Sequence, residues 1–178
     1  MDCFEIHRVP GGGLRRRWLV EAAAAAAGVI AISGGVAEDL AAFGLGARLR
    51  VEHDALDPGR FVDLPTRDEA RRRLGLEGSE PLVVYTGGLM EWKGVGVLVD
   101  AARSLPRVRF AIAGGHAGDV ERLRPRAAGL ANVRIDGFRP PAEVPLYLAA
   151  GDVAVVPNRS TPAIAARYTS PLKVFEAM

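Results

Sequence analysis

The sequence contains a single cysteine, Cys3, and only three histidines, His7, His53 and His116. One cysteine excludes an internal disulfide framework and a cysteine-rich metal cluster, and it fits a reducing compartment. The scattered histidines lack the ligand spacing of a metal hydrolase. No apolar run is long enough to span a bilayer, and the first residues lack the basic region of a signal peptide. We therefore expect a cytoplasmic protein and disfavour a metal hydrolase.

The net charge is also small, at +2 for 178 residues. A chain with so little net charge has no global basic field, so we expect no nucleic-acid partner. No Gly-x-Gly-x-x-Gly opens a helix after a predicted strand, which disfavours a dinucleotide oxidoreductase. The apolar content of 49% is sufficient to bury a core.

Short apolar runs alternate with segments of helical pattern along the chain, which is typical of a parallel, doubly wound α/β sheet. Helix starts are predicted at Ser33, at Thr66 with Glu69 three residues later, and at Pro140. The segment 54–65, rich in proline and aspartate, is the best interdomain linker, and we place the boundary near residue 57. Strands are predicted at 2–7, 28–32, 48–52, 81–86, 108–113, 133–136 and 152–156.

Lysine is scarce: of the 23 cationic residues 21 are arginine, and the two lysines are Lys93 and Lys173. Both lie where a glycine- or proline-marked loop leads into a predicted helix. A helix N-terminus has unpaired N–H groups and a partial positive charge, so a cation there is disfavoured unless an anion lies between them. Phosphate is the usual anion at such a site. On position alone, an ordinary solvated lysine is an equally good interpretation.

The sequence around each lysine favours the phosphate interpretation. Residues 82–99 predict a strand, a tight loop with Gly87 and Gly88, and a helix after Lys93. Around Lys173, Ser170 is a candidate N-cap and Pro171 a candidate first helical residue.

Glu176 follows Lys173 by three residues on the same predicted helix face. Its carboxylate could accept hydrogen bonds from a ribose diol, and the alternative is an intrahelical ion pair with Lys173.

These segments resemble the GT-B glycosyltransferases, in particular the retaining family 4 and its Thr-Ser-Pro-Leu-Lys subgroup. The resemblance rests on five ordered motifs: the Gly-rich turn and Lys-Gly at 87–94, a strand ending in Gly-Gly at 110–115, a Gly-aromatic turn at 133–138, the Ala-Gly-Asp-Val strand at 150–158, and the helix start at 170–178. Upstream, 4–7, 29–33 and 51–61 resemble the strand-end histidine, a later strand and the crossover of the family's N-terminal domain.

The resemblance implies a GT-B fold with Rossmann-like parallel sheets. Residues 1–57 would belong to the N-terminal, acceptor-binding domain, and residues 58–178 to an incomplete C-terminal domain that binds a nucleotide sugar. Complete members are much longer, so we expect a fragment truncated at both ends. Two other hypotheses remain: a catalytically inactive fragment that binds nucleotide, and a different Rossmann nucleotide-binding protein.

The resemblance also implies the chemistry. Such enzymes transfer a sugar from a UDP- or GDP-sugar to a saccharide, lipid or other small acceptor, with retention at the anomeric carbon and without a cofactor or required metal. Lys93 would neutralise charge on the leaving diphosphate, and His7 would approach the transferred sugar from the other domain. The implied donor-binding residues are Gly87, Gly88, Lys93, Gly115, Phe138, Arg139, Ser170, Pro171, Leu172, Lys173 and Glu176.

The chain departs from the family at two positions. Gly88 stands where many members have arginine, and Tyr168 stands where others have glutamate, which weakens the assignment of individual roles. The basic segment 14–20 at the head of the first predicted helix suggests peripheral contact with the inner face of the membrane. The sequence identifies neither the sugar nor the acceptor.

Overall fold

The computed structural model describes residues 2–161, 167–169 and 172–178. Ser170 and Pro171, both in the predicted donor site, lie outside the described residues. The chain divides into two compact units, the first comprising Met1–Ala55 and Ser160–Leu172 and the second Leu56–Arg159 and Lys173–Met178. The identification of these units as acceptor and donor domains stays a prediction. No helix within the described ranges is long and apolar enough to cross a membrane.

The first unit contains a three-stranded parallel sheet in the order β1-β2-β3. Its helices bury one face against the sheet, and the core includes Val29, Val36 and Leu40. The strands are β1 (Cys3–Ile6), β2 (Gly28–Ala31) and β3 (Leu49–Val51), and the helices are α1 (Gly13–Ala25) and α2 (Gly34–Ala41).

Ser33 begins α2 as predicted, because its hydroxyl accepts a hydrogen bond from the Val36 N–H at 3.3 Å. The same hydroxyl donates to the carbonyl of Arg167 at 2.6 Å. Arg167 pairs with Glu38, and the Tyr168 hydroxyl donates to Asp39 at 2.6 Å. These contacts explain why a late segment of the chain clusters with the first unit.

The second unit contains a four-stranded parallel sheet in the order β6-β5-β4-β7. Its strands are β4 (Leu82–Thr86), β5 (Arg109–Ala113), β6 (Val133–Gly137) and β7 (Val153–Ala154). Its helices are α3 (Arg67–Leu74), α4 (Val95–Ser104), α5 (Ala117–Leu123) and α6 (Val144–Ala150), and the last helix, α7 (Leu172–Ala177), belongs to this unit from Lys173 onward.

The side chains of the central strand β4 alternate between two cores, as expected for a sheet covered on both faces. Leu82 and Val84 pack in a cluster with residues of α3 and α6. Tyr85 packs in the opposite cluster with Val99 of α4 and Val120 of α5. The α/β class with parallel sheets is therefore confirmed, and each predicted strand position contains a strand.

The edge strand β7 is shorter than predicted. It pairs with β4 only through Val153 and Ala154, whereas the sequence predicted strand over 152–156. Asp152 just before it uses its side chain to accept a hydrogen bond from the Leu82 N–H at 2.7 Å. An edge strand needs few ladder bonds when a side chain fixes its start in this way.

A buried arginine joins the start of β7 to α3. Arg71 is 2% exposed, and it donates to the carbonyls of Ala150, Gly78 and Glu80 at 3.0, 2.7 and 3.3 Å. It also donates to the Asp152 carboxylate at 2.7 Å. A buried cation is tolerated only when it is paired and hydrogen-bonded, and Arg71 meets both conditions.

Candidate functional site

The carboxyl ends of β4, β5 and β6 meet at one edge of the second sheet and open into a cavity of about 370 Å³. Ligands of open α/β sheets bind at this edge, outside the carboxyl ends of the strands. The cavity is lined by Arg60, Thr86, Gly87, Gly88, Met90, Ala113, Gly114, Gly115, His116, Asp119, Phe138, Arg139, Pro141, Val144, Tyr147, Lys173 and Glu176.

Glycines allow the loops after β4 and β5 to approach each other. Gly87 and Gly114 have φ of +140° and +124°, which other residues rarely adopt. A Cβ at Gly114 would collide with the Gly87 carbonyl, and one at Gly87 would collide with the Lys173 side chain. The Gly87 N–H donates to the Ala113 carbonyl at 2.8 Å. Lys173 therefore lies directly against the backbone of the first glycine loop.

The second glycine of this loop leaves a backbone donor available. The Gly88 carbonyl accepts a hydrogen bond from the Tyr85 hydroxyl at 2.6 Å, which fixes the loop. No acceptor within the described ranges pairs with the Gly88 N–H. An N–H that is fixed beside a cavity can donate to an anion there.

The two lysines, far apart in the sequence, both belong to the second unit, and their positive charges interact. The pKa of Lys93 is lowered, first by burial and second by the positive charge of Lys173. Neither lysine forms an ion pair with a carboxylate of the described residues. Lys93 does not line the cavity itself, but its charge interacts with that of Lys173, which does line it. An anion between the two ammonium groups would relieve their repulsion.

Replacing Lys173 by glutamine should raise the pKa of Lys93 towards its ordinary value of 10.5 without reaching it. The substitution removes the repulsion by a second cation but leaves the effect of burial. The chain has two lysines, so an NMR titration of lysine side chains shows two resonances, which Lys93→Gln assigns. Arg107→Gln, a change at an exposed arginine, is the matched control. An unchanged Lys93 pKa in Lys173→Gln would show that the two charges do not interact.

Glu176 lies one turn after Lys173 on α7 and lines the same cavity. The sequence left open an ion pair between these two side chains, and no such pair within 4.0 Å is formed. The Glu176 carboxylate therefore remains available to accept hydrogen bonds from a ligand.

Phe138 and Arg139, which follow β6, line one side of the cavity, and a hydrogen-bonded network lies next to them. Arg134 and the Tyr147 hydroxyl donate to Asp136 at 2.7 and 2.6 Å. Burial would raise the pKa of Asp136, but these bonds outweigh it and the pKa is lowered. Burial and the bond to Asp136 raise the pKa of Tyr147 to about 12.

Phe138 and Arg139 follow this network directly. Phe138 is 67% exposed, although it is aromatic, and its ring offers a face to a ligand. The Arg139 Nε is buried and has no partner among the described residues. The other guanidinium nitrogens of Arg139 lie 3.8 Å from Asp136 and 4.0 Å from Glu143, so this wall offers an aromatic face beside an arginine that its own carboxylates hold in place.

The structure thus brings seven predicted donor residues together around one cavity: Gly87, Gly88, Gly115, Phe138, Arg139, Lys173 and Glu176. Leu172 begins α7 and is not part of the cavity wall.

His7 lies in the first unit, where its Nε2 is 2.9 Å from the Glu5 carboxylate. The ligand atoms of Glu5, His7 and Asp54 all lie within 4.8 Å of one another. A carboxylate beside one ring nitrogen orients the imidazole. The catalytic role of His7 stays a prediction.

Sequence reasoning missed several residues of the cavity, among them Arg60, Asp119 and Tyr147. Arg60 comes from the linker, in a short 3₁₀ helix (Pro58–Phe61), and it donates to the Pro141 carbonyl at 2.7 Å. No motif marks it. Asp119 could have been found, because it stands one helical turn after the Gly-Gly of β5, where its carboxylate accepts from the His116 N–H at 3.1 Å.

Comparison with known proteins identifies the family. A family model described as glycosyl transferases group 1 matches residues 80–178, which is more than half of the chain and includes the whole cavity apart from Arg60. The chain belongs to the glycosyl transferases group 1 family. This is a family of transferases, and it agrees with the glycosyltransferase resemblance of the sequence.

Individual relatives agree with this assignment. The chain is 39% identical over 85 residues to D-inositol 3-phosphate glycosyltransferase of Mycolicibacterium vanbaalenii, an overlap of 48% of this chain and 19% of the relative. It is 36% identical over 110 residues to alpha-D-kanosaminyltransferase of Streptomyces kanamyceticus, covering 56% of this chain and 28% of the relative. The chain therefore spans less than a third of the length of these curated relatives.

Solved structures share the fold. The structure of Anabaena HepE in complex with UDP and glucose superposes with a TM-score of 0.68 at 24% identity, over 85% of this chain and 45% of HepE. The structural neighbours are GT-B glycosyltransferases, so the predicted fold class is confirmed.

Proposed function

We propose that the second unit binds the nucleotide-diphosphate sugar of a glycosyltransferase that retains the anomeric configuration. The observation that supports this most strongly is the glycine-lined cavity with the Lys173 side chain in its wall, against Gly87. The charge of Lys173 interacts with that of Lys93, and neither lysine forms an ion pair with a carboxylate of the described residues. A diphosphate carries the negative charge that such a pair needs, and the fixed Gly88 N–H can donate to it. The cavity volume of about 370 Å³ lies in the usual range for small-ligand pockets.

Lys93 and Lys173 would stabilise the leaving group. When the bond between sugar and diphosphate breaks, negative charge grows on the diphosphate. Cations already in place stabilise this charge without the cost of reorganising solvent. In this proposal the two lysines supply the charge stabilisation and no metal is required.

The other walls would hold the nucleoside. We propose that Glu176 accepts hydrogen bonds from the ribose diol and that Phe138 and Arg139 border the base. The Glu176 carboxylate, which does not pair with Lys173, and the position of Phe138 and Arg139 in the cavity wall support these roles. The donor would be a UDP- or GDP-sugar, and the UDP found in Anabaena HepE makes UDP the first to test.

Replacing Glu176 by alanine tests the ribose assignment. We expect affinity for UDP to fall by about 10- to 100-fold, since hydrogen bonds to a charged acceptor contribute about 1.5–3 kcal/mol. Affinity for pyrophosphate, which has no ribose, should not change. Isothermal titration calorimetry with both ligands measures this difference. An equal loss for UDP and pyrophosphate would place Glu176 at the phosphates and contradict the assignment.

We propose further that the enzyme acts in the cytoplasm, on a saccharide, lipid or other small acceptor, and contacts the inner face of the membrane. Leu14 and Trp18 of α1 are 66% and 64% exposed, one turn apart on the face away from the core. Arg15 and Arg17 flank them, as on helices that bind anionic lipids. Sedimentation with anionic and neutral liposomes tests this contact. Equal recovery of the protein with anionic and neutral liposomes, together with no change in recovery for Trp18→Ala, would exclude this membrane contact.

A further inference from the structure

The short 3₁₀ helix Glu91–Lys93, between β4 and α4, holds Lys93 in an unusual environment. The Lys93 Nζ lies 4.1 Å from the centre of the Trp92 indole ring. A cation over an indole face is attracted by the electrons of the ring. Unlike a carboxylate, the ring does not neutralise the ammonium.

Arg159, which follows β7 in the chain, forms two hydrogen bonds to the same turn. The Arg159 N–H donates to the Trp92 carbonyl at 2.9 Å. The Arg159 guanidinium donates to the Glu91 carboxylate at 3.1 Å. Glu91 is the nearest carboxylate to Lys93 in the sequence, and it forms an ion pair with Arg159.

We propose that Trp92 and Arg159 are positioning residues for Lys93. The indole fixes the direction of the ammonium, and Arg159 keeps the Glu91 carboxylate away from it, so that Lys93 presents an uncompensated charge to the donor diphosphate. This inference rests on the proposed function and adds to it the residues that hold Lys93 ready.

The physical basis is the cost of ordering a lysine side chain. A lysine loses much rotamer freedom when it is immobilised, and this loss weakens binding. A lysine already held over a ring loses less freedom on binding. A neighbouring carboxylate would have the opposite effect, because a ligand would have to displace it before binding the cation.

Titration of UDP and pyrophosphate into variants of the chain tests the proposal. We expect Trp92→Ala to lower the affinity for both ligands by about 2- to 10-fold. Trp92→Phe should recover most of the affinity, because a phenyl face also attracts a cation. Arg107→Gln, at an exposed arginine of the same unit, is the control and should bind as wild type.

The role of Arg159 is tested by a rescue. Arg159→Gln should lower the affinity for both ligands by about 2- to 5-fold, because Glu91 becomes free to pair with Lys93. The double variant Arg159→Gln with Glu91→Gln should bind as wild type. The backbone bond from residue 159 to Trp92 remains in both variants, so a purely structural role of Arg159 predicts no rescue. Weak binding of the ligands by the double variant would overturn the proposed role of Arg159.

An NMR measurement without ligand separates failure of this inference from failure of the proposed function. The indole ring current should shift the side-chain resonance of Lys93 upfield of that of Lys173, and Trp92→Ala should remove the shift. Absence of the shift would overturn the role of Trp92, whatever the chain binds. A shift together with wild-type affinity in Trp92→Ala would also overturn it. Failure of the wild type to bind UDP, GDP and pyrophosphate would instead contradict the proposed function.

Discussion

Alanine at Lys93 is expected to reduce the affinity of the chain for UDP and for pyrophosphate by about 10- to 100-fold. Lys93 is half-buried, its pKa is lowered by burial and by Lys173, and it has no carboxylate partner among the described residues. In the proposed function its loss removes one of the two cations that bind the diphosphate and leaves Lys173 alone. Isothermal titration calorimetry with both ligands measures the effect.

Two controls make the Lys93 result specific. Arg126→Ala changes a cation of the same unit whose guanidinium donates to Asp100 at 2.8 Å, and it should leave both affinities unchanged. Lys93→Arg keeps the charge and should recover part of the loss. If Lys93→Ala binds UDP as tightly as wild type, Lys93 does not contact the diphosphate.

The substitution Arg71→Met is expected to lower the free energy of unfolding of the second unit by about 3–5 kcal/mol. The methionine side chain would fill part of the same space but would leave the carbonyls of Gly78 and Ala150 and the carboxylate of Asp152 without this donor. Urea unfolding followed by circular dichroism should show a midpoint lowered by more than about 1 M, given slopes of about 1–3 kcal/mol/M for small proteins.

The neighbouring arginine supplies the control for this experiment. Arg72 is exposed on the same helix, and Arg72→Met should change the free energy of unfolding by less than about 0.5 kcal/mol. Equal unfolding midpoints for the two variants would contradict the assignment of Arg71 as the buried link between α3 and β7.

Local features of the fold could be predicted from the sequence. The alternation of apolar runs with helical segments located β4 and β5, and Ser33 and Thr66 marked helix starts, because a hydroxyl caps the exposed N–H groups of a helix whatever lies around it. The extent of β7 could not be predicted, because the length of an edge strand depends on what lies beside it.

The site could be predicted only in part, and mainly through family resemblance. The motifs that contain Gly88, Phe138 and Lys173 were visible, and parallel strand order brings the loops after β4 and β6 to one edge of the sheet. Arg60 was not visible, because it enters the cavity from a linker, and the Trp92 contact to Lys93 depends on side-chain direction within a tight turn. Such details arise from tertiary structure and leave no spacing pattern in the sequence.

Calorimetric titration of the wild-type chain with UDP, GDP and NAD tests the central claim most directly. In the proposed function, the cavity at the edge of the second sheet accepts a nucleoside diphosphate against Lys173 and Glu176 of its wall, and Lys93 adds positive charge. We predict saturable binding of UDP or GDP and no binding of NAD. Binding of NAD in preference to both, or no binding of any of the three, would contradict the claim.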